Sequence, residues 1–127
     1  MSKLEEQIVK ILQKDKLKFQ REVSFSDLGR GKYRFDFRVL RKGAPVLVEI
    51  QGRQHYEFVP KFHKTRSDFT QQQGRDRRKI SYCLAHRIPL YIIPYWEVEN
   101  LKSAEDLFKD KFRAKNQWKN QVDWSSI

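Results

Sequence analysis

Two carboxylates stand inside segments whose other residues indicate buried β-structure. Asp36 lies in "YRFDF", residues 33–37, and Glu49 lies in "VLVEIQG", residues 46–52. An acidic side chain is costly in a largely apolar strand unless it is paired with a positive group. The pattern therefore indicates that each acid has a charged partner or a chemical role.

The two segments predict a β-hairpin that brings the acids together. If "RKGA", residues 41–44, forms a four-residue loop, antiparallel pairing sets Phe35 opposite Ile50 on a face where every pair is apolar. On the other face the same register sets Asp36 opposite Glu49. The sequence therefore predicts two directly opposed carboxylates.

Opposed carboxylates repel each other, at a cost of up to about 1 kcal/mol even when they are solvated. Arg34 and Arg38 are predicted on the same face and could neutralise the acids as salt bridges. The alternative is a divalent cation, because Mg²⁺ is typically held by one or two carboxylates together with waters and phosphate oxygens. Spacing alone leaves both interpretations open.

An amphipathic helix is predicted before the strands, over residues 3–15. Leu4, Ile8 and Leu12 form an apolar stripe at helical spacing, and Glu5 lies beside that stripe. Glu5 is therefore the more inward of the two acids in the first turn. A first strand is predicted over residues 19–25, followed by a turn or loop over residues 26–32.

After the hairpin, residues 53–69 have the character of a loop, and residues 75–87 indicate a helix whose start is obscured by Gly74. Asp76 falls on the inward stripe of this helix, and Lys79 lies on the same side three residues later. The helix also carries Cys83, which we expect to pack in the core as a buried thiol.

Residues 88–96 then predict a short buried strand that ends at Pro94. A basic helix is expected from a capping box of Ser103 and Asp106, with Leu107, Phe108 and Phe112 facing inward. The order of elements predicts an α/β fold with a small mixed β-sheet flanked by helices.

Composition restricts the classes of partner. The 127 residues carry a formal net charge of +11, with 27 Lys and Arg against 16 Asp and Glu, which favours a polyanion such as nucleic acid. No apolar run approaches transmembrane length, and the first residues carry acids where a signal peptide would be apolar. We therefore expect no membrane association and a cytoplasmic location.

The motifs resemble a known family when they are taken in order. "YRFDFRVL", "VLVEIQGRQHY", "RDRRKISYC" and "IPLYIIPYW" together resemble the very-short-patch-repair-like endonucleases of the PD-(D/E)XK nuclease superfamily, a group that includes phage-encoded and homing-endonuclease-associated members. The resemblance covers residues 3–97. It implies a restriction-endonuclease-like core at 3–97 in a single nuclease-like domain, 1–127, with a basic C-terminal helix and tail at 102–127.

The resemblance implies roles for the residues of the hairpin. Asp36 matches the metal-binding Asp of the superfamily, and Glu49 matches its second ligand. Gln51 stands where the superfamily has a Lys. Its side chain can orient a water or offer a carbonyl oxygen to the metal, but it cannot supply a positive charge. Two other residues are therefore candidates for the missing function.

His55 is the first candidate, because it matches a catalytic His of the repair-enzyme group and histidine is a suitable general base near neutral pH. Lys79 is the second, since it could reach inward and neutralise the scissile phosphate. Asp76 is expected either to support the site or to form an ion pair with neighbouring basic residues. Glu5 resembles the acid that the first helix contributes in several of these nucleases. His63 and His86 lack motif context and are expected at the surface or in loops.

The expected function is that of a metal-dependent DNA endonuclease that uses Mg²⁺, for which Mn²⁺ substitutes, and leaves a 5′-phosphate and a 3′-hydroxyl. DNA contacts are expected from basic side chains of the hairpin, the loops and the C-terminal segment, namely Arg34, Arg38, Arg53, Lys61, Lys64, Arg66, Lys109, Lys111, Arg113 and Lys115. A homodimer fits this expectation, because cutting both strands needs two active sites.

The small size and the resemblance favour a nicking, repair or junction-processing enzyme encoded by a phage or mobile element and acting in a bacterial host cell. The main alternative is a nuclease-fold DNA-binding protein that has lost catalysis, which the replacement of Lys by Gln51 favours. A basic RNA- or ribosome-associated module is a third interpretation, although no aromatic RNA-binding motif of the RRM kind is found.

Overall fold

Helices and strands form a mixed α/β fold, as the sequence predicts. The computed structural model describes residues 2–115. The main elements are α1 (Lys3–Lys14), β1 (Phe19–Ser24), β2 (Arg34–Arg41), β3 (Ala44–Gln51), α2 (Arg66–Ala85) and β4 (Leu90–Pro94). Short 3₁₀ segments lie at Gly29–Gly31, Arg53–His55, Tyr95–Asn100, Ala104–Phe108 and Asp110–Phe112.

The four strands form one mixed sheet in the order β1-β2-β3-β4. The first three strands are antiparallel neighbours, whereas β4 runs parallel to β3. A parallel neighbour needs a crossover connection, and α2 provides it. The carboxyl ends of β3 and β4 consequently lie at the same edge of the sheet, where Gln51 is paired with Pro94.

The hairpin of β2 and β3 has the predicted register but a shorter turn. Leu40 pairs with Pro45 as expected, and the strands continue to a further pair of Arg41 and Ala44. The turn is therefore Lys42 and Gly43 alone, and the predicted four-residue loop is wrong. Both turn residues have positive φ, 50° and 81°, as a two-residue type I′ turn requires.

The pairing predicted for Phe35 is also wrong, because the side chains of β2 change face near Asp36. Phe37 packs in the cluster beneath α1, but Phe35 packs in the cluster beneath α2. The ladder between β2 and β3 ends at the pair of Phe37 and Val48. On the other side of β2, the register places Glu22 opposite Asp36, and Glu22 has a left-handed φ of 54°. The backbone is thus irregular where the acids lie.

The sheet separates two hydrophobic clusters. The cluster beneath α1 joins this helix to inward residues of β2, β3 and β4 and to the 3₁₀ turns after β4. Its members include Ile8, Leu12, Phe37, Val39, Val48, Ile50, Ile93 and Leu107. The cluster beneath α2 is smaller and comprises Leu28, Phe35, Leu47, Cys83, Leu90 and Ala114. Alternation along β3 therefore sends Val48 and Ile50 to one side and Leu47, Glu49 and Gln51 to the other.

Helix α2 begins earlier than the sequence indicated. It starts at Arg66, after a capping box in which Thr65 accepts from the backbone N–H of Asp68 and Asp68 accepts from that of Thr65. The loop predicted through residue 69 is therefore wrong over its last four residues. The helix passes through Gly74 without interruption, and Gly74 is buried there.

The predicted C-terminal basic helix is wrong over the described residues. The capping box of Ser103 and Asp106 is present, but it opens a 3₁₀ turn that ends at the extended residue Lys109. Arg113 then forms an antiparallel bridge with Tyr91 of β4. Residues 116–127 of the predicted helix and tail lie outside the described residues. Within residues 2–115, no helix is long and apolar enough to cross a bilayer.

Candidate active site

Asp36 and Glu49 lie side by side where the ladder of β2 and β3 ends. The backbone N–H of Asp36 donates to Glu49 Oε1 at 2.9 Å, and the backbone N–H of Ile50 donates to Asp36 Oδ2 at 2.8 Å. Each carboxylate thus takes the place of a ladder acceptor on the opposite strand. The structure brings together the two acids that the hairpin register predicts.

The Asp36 carboxyl is held in an unfavourable environment for an anion. Its pKa is raised to about 8, first by burial and then by the negative charges of Glu49 and Glu5, and the Ile50 N–H and the Lys79 ammonium offset this only in part. Glu5 is close enough to act on this carboxyl, as its inward position on α1 predicts, and it is paired with Arg21 at 2.7 Å. In the absence of a further cation, Asp36 retains its proton at neutral pH.

Lys79 supplies the positive charge next to Glu49. Its Nζ lies 2.6 Å from Glu49 Oε2, and both side chains are largely buried, at 13% and 6% exposure. The ammonium also lies 5.0 Å from the centre of the Phe35 ring, a cation–π distance. The positive charge beside Glu49 therefore comes from α2, and Lys79 reaches inward as the sequence analysis expects.

Arg34 and Arg38, the two arginines that could neutralise the acids, have other partners. Arg34 is exposed and lies 4.0 Å from Glu22, and Arg38 donates to Gln20. Of the two interpretations that the spacing left open, salt bridges from Arg34 and Arg38 to the acids are therefore not found among the described residues.

His55 and Asp76 form a second buried pair. His55 follows β3 in a 3₁₀ turn, and Asp76 lies in the middle of α2. Their atoms Nδ1 and Oδ2 are 2.8 Å apart, with side-chain exposures of 13% and 14%. The inward position predicted for Asp76 is confirmed, and its partner is the candidate histidine.

Two clefts meet at this histidine. A small cleft of about 150 Å³ is lined by His55, Asp76 and Lys79 together with basic residues that include Lys32, Arg34 and Arg75. A larger cleft of about 750 Å³ lies at the carboxyl ends of β3 and β4, and its lining includes Gln51, His55 and Asp76. Ligands of open α/β sheets commonly bind at such strand ends.

The aromatic wall of the large cleft was missed by the sequence reasoning. The ring centres of Tyr56 and Trp96 lie 4.9 Å apart, and the two residues are 41% and 50% exposed. Gln51 lies in the same lining and is itself 9% exposed. It shares the face of Glu49, but within residues 2–115 its side chain makes no hydrogen bond to either acid.

The acid pair has the donor chemistry that Mg²⁺ requires. Asp36 and Glu49 provide two carboxylates, and a cation bound between them would displace the proton that the raised pKa of Asp36 otherwise retains. No cluster of three or more His, Cys, Asp or Glu able to hold a metal occurs in the described part of the chain. Mg²⁺ does not need one, because it keeps several waters and is commonly held by one or two carboxylates.

Two histidines and the cysteine can now be placed. His86 is exposed at the end of α2, as expected. His63 lies in the connection before α2, so of the two expected positions the loop is confirmed, but the side chain is only 2% exposed and does not lie at the surface. It contacts Gln72, which the sequence reasoning also missed. The capping box at Thr65 and Asp68 was a signal that Gln72 belongs to α2.

Cys83 is buried as predicted, and burial raises the pKa of its thiol to about 12.

The basic residues expected to contact DNA are spread over the surface, and many already have partners. Arg53 pairs with Glu57, and Arg66 lies over the Phe58 ring. Lys61 lies over the Phe62 ring, and Lys64 is exposed. In the C-terminal segment, three lysines pair with acids, namely Lys109 with Asp106, Lys111 with Glu97 and Lys115 with Asp110, while Arg113 lies over Tyr91.

Segments of the chain are similar to proteins of two viruses. Uncharacterized protein 307L of Invertebrate iridescent virus 6 is 44% identical over 48 residues, which are 38% of this chain and 24% of that protein. Uncharacterized protein 094L of Frog virus 3 (isolate Goorha) is 44% identical over 55 residues, which are 42% of this chain and 36% of that protein. The matches span well under half of these curated relatives. No family model and no solved structure matches the chain.

Proposed function

We propose that this protein is a metal-dependent DNA endonuclease that hydrolyses phosphodiester bonds. The observation that carries the proposal is that Asp36 and Glu49 lie side by side where the β2–β3 ladder ends, and that Lys79 forms an ion pair with Glu49. Buried acids in this arrangement leave a carboxyl that retains its proton unless a cation is added, which is costly for a purely structural role. The net charge of +11 and the sequence resemblance to PD-(D/E)XK nucleases support the choice of DNA.

In this proposal Asp36 and Glu49 hold Mg²⁺, with Gln51 offering a carbonyl oxygen or orienting a water. When bound, the metal would polarise the phosphoryl group and lower the pKa of a coordinated water. Lys79 then balances negative charge on the scissile phosphate, and Glu5 adds to the acidic environment of Asp36.

His55 acts as the general base, because Asp76 holds its Nδ1 side and leaves Nε2 for the water. The proton of the attacking water passes to Nε2 as the new O–P bond forms. The P–O3′ bond breaks, and the O3′ atom takes a proton from solvent. The products are a 5′-phosphate and a 3′-hydroxyl, as the family resemblance implies.

The alternative is a catalytically inactive nuclease-fold protein that binds DNA. Gln51 favours this alternative, because it removes the positive charge that the superfamily places on β3. Lys79 weighs against it, since a buried ammonium 2.6 Å from Glu49 restores that charge from another element.

The proposal also includes finer expectations of partner and source. DNA is the proposed partner, a homodimer is the form that would cut both strands, and a cytoplasmic location remains a prediction. A phage or mobile-element origin also remains a prediction, whereas the two matched relatives are proteins of an invertebrate virus and a frog virus.

Supercoiled plasmid tests the proposal directly. We expect nicking with Mg²⁺ or Mn²⁺, no nicking with EDTA, and a loss of about 100-fold or more in Asp36→Asn, because each tenfold loss needs only about 1.4 kcal/mol of transition-state stabilisation. Asp110→Asn is the matched control, since it makes the same charge change at an exposed residue.

Two results would contradict the proposal. Binding of plasmid without metal-dependent nicking by the wild-type protein would favour the inactive DNA-binding alternative. Equal nicking by Asp36→Asn and Asp110→Asn would separate any cleavage from the acid pair.

A further inference from the structure

A continuous chain of hydrogen bonds runs from the loop before α2 to the candidate base. The backbone N–H of Val59 donates to His63 Nδ1 at 3.0 Å, and His63 Nε2 lies 2.6 Å from Gln72 Oε1. Gln72 Nε2 lies 3.4 Å from His55 Nε2, and His55 Nδ1 lies 2.8 Å from Asp76 Oδ2. Every side chain in this chain of contacts is at least partly buried.

The backbone end of the chain fixes the direction of each link. An amide N–H can only donate, so His63 Nδ1 accepts and carries no proton. The neutral His63 ring therefore has its proton on Nε2 and donates to Gln72 Oε1. The same side-chain amide then presents its NH₂ group to His55, which must accept at Nε2.

The carboxylate end of the chain leads independently to the same result. An ionised Asp76 can only accept, so the His55 nitrogen beside it, Nδ1, carries a proton. A second proton on Nε2 would face the NH₂ group of Gln72, donor against donor. Both ends therefore require the His55 tautomer with a proton on Nδ1 and a lone pair on Nε2.

Packing holds the chain in place. The His63 ring is 2% exposed and lies between Phe58 and Phe69, with ring centres 5.7 Å and 5.4 Å away. Gln72 and Asp76 are one turn apart on α2, so both reach His55 from the same helix. A side-chain amide held by a buried histidine has little freedom to turn over.

We propose that Gln72 and His63 are positioning residues that keep Nε2 of His55 unprotonated and directed into the small cleft beside Lys79. The catalytic meaning of this arrangement rests on the proposed function, because a lone pair at Nε2 is what a general base needs. The link from Gln72 to His55 is the longest of the chain, and the attacking water replaces it at Nε2. Asp76 then balances the charge of the imidazolium that forms.

The tautomer can be measured without any substrate. Two-bond ¹H–¹⁵N correlation spectra of the full chain at pH 7.5 should show His55 protonated at Nδ1 and unprotonated at Nε2. Gln72→Glu places an acceptor at both of its contacts, so we expect a proton on His55 Nε2 in that variant. Gln71→Glu adds the same charge at an exposed neighbour and should leave the His55 signals of the wild type.

His63→Phe provides a second variant if Gln72→Glu does not fold. It retains an aromatic ring between Phe58 and Phe69 but releases the Gln72 amide, so we expect the wild-type His55 tautomer to be mixed with the other. A wild-type His55 protonated at Nε2, or a His55 spectrum that neither variant changes, would overturn the proposal.

Plasmid nicking then separates this inference from the proposed function. In an active protein we expect Gln72→Glu to lower the rate by about 100-fold or more, as loss of a general base does, and Gln71→Glu to lower it little. The predicted tautomers in a protein that never nicks DNA would support the positioning roles and reject the nuclease. An active Gln72→Glu with His55 protonated at Nε2 would reject the positioning roles in catalysis.

Discussion

The two faces of the sheet differ in what they bury. The face beneath α1 is apolar, with Leu12, Phe37 and Val48 fully buried. The face beneath α2 also buries Glu49, Gln51 and, from the loop, His63. Apolar burial stabilises the fold, whereas buried acids and amides need partners to avoid destabilising it. The difference indicates that the α1 face supplies the stability that allows costly polar groups on the α2 face.

The largest effect on stability should come from the apolar face. Leu12 is fully buried beneath the sheet, so Leu12→Ala should lower the free energy of unfolding by about 3 kcal/mol. Leu40→Ala, at a position that is 42% exposed, is the control and should cost far less. Urea unfolding measures both. A Leu12→Ala cost no larger than that of Leu40→Ala would contradict the division between the two faces.

A comparable effect on activity should come from the polar face. Lys79→Met removes the charge beside Glu49, and we expect nicking to fall by about 100-fold, as for loss of one electrostatic contact to the transition state. Adding Gln51→Lys should recover part of that loss, because it places a positive charge on β3 two residues from Glu49, on the same face.

The measurement is plasmid nicking by Lys79→Met, by Gln51→Lys and by the double variant, which shows whether a lysine at position 51 can replace Lys79. Unfolding curves confirm that each variant is folded. An unchanged rate in Lys79→Met would show that the lysine serves only to neutralise Glu49.

A smaller effect, of opposite sign, should come from Asp36. Its pKa is raised from 3.8 to about 8, so between about pH 4 and pH 8 the folded protein holds a proton that the unfolded chain releases. The free energy of unfolding therefore falls as the pH rises through this window. Linkage gives roughly 1.4 kcal/mol per pKa unit as an upper bound, and the partial exposure of Asp36 lowers it, so without divalent cations Asp36→Asn should be about 2 kcal/mol more stable than wild type at pH 8 and nearly equal to it at pH 4.

Thermal unfolding across this pH range measures the difference, with Asp110→Asn as the flat control. Mg²⁺ at pH 8 should then stabilise the wild type but not Asp36→Asn. An Asp36→Asn protein that is less stable than wild type at pH 8 would contradict the assigned environment of the acid.

The sequence was most informative where strand alternation dominates. The register of β2 and β3 could be predicted because a slip of one residue would turn every apolar side chain of the hairpin to the wrong face. The same register brought Asp36 and Glu49 together. The face of Phe35 could not be predicted, because the irregular backbone at Glu22 and Asp36 has no signature in residue type.

The start of α2 was predicted wrongly for a local reason. It was obscured by Gly74 and by a polar run that lacks apolar periodicity, although Thr65 and Asp68 carried the capping signal.

Other errors came from long-range contacts. The C-terminal segment has helical residue types, but Arg113 and the residue after it pair with β4, and this tertiary pairing overrides local propensity. His63 could not be assigned a role, because its partners depend on how the loop folds back on α2.

The hydrogen bonds that Asp36 and Glu49 accept from opposite strands fix the distance between the two carboxylates. Each carboxylate is fastened to a backbone N–H of the opposite strand, so the gap between them is a dimension of the sheet rather than a choice of rotamers. Mg²⁺ and Ca²⁺ differ by about 0.3 Å in their bond lengths to oxygen. The backbone of the hairpin would thus set the selectivity between the two cations. Warming that loosens the hairpin should lower this selectivity at temperatures below the unfolding transition.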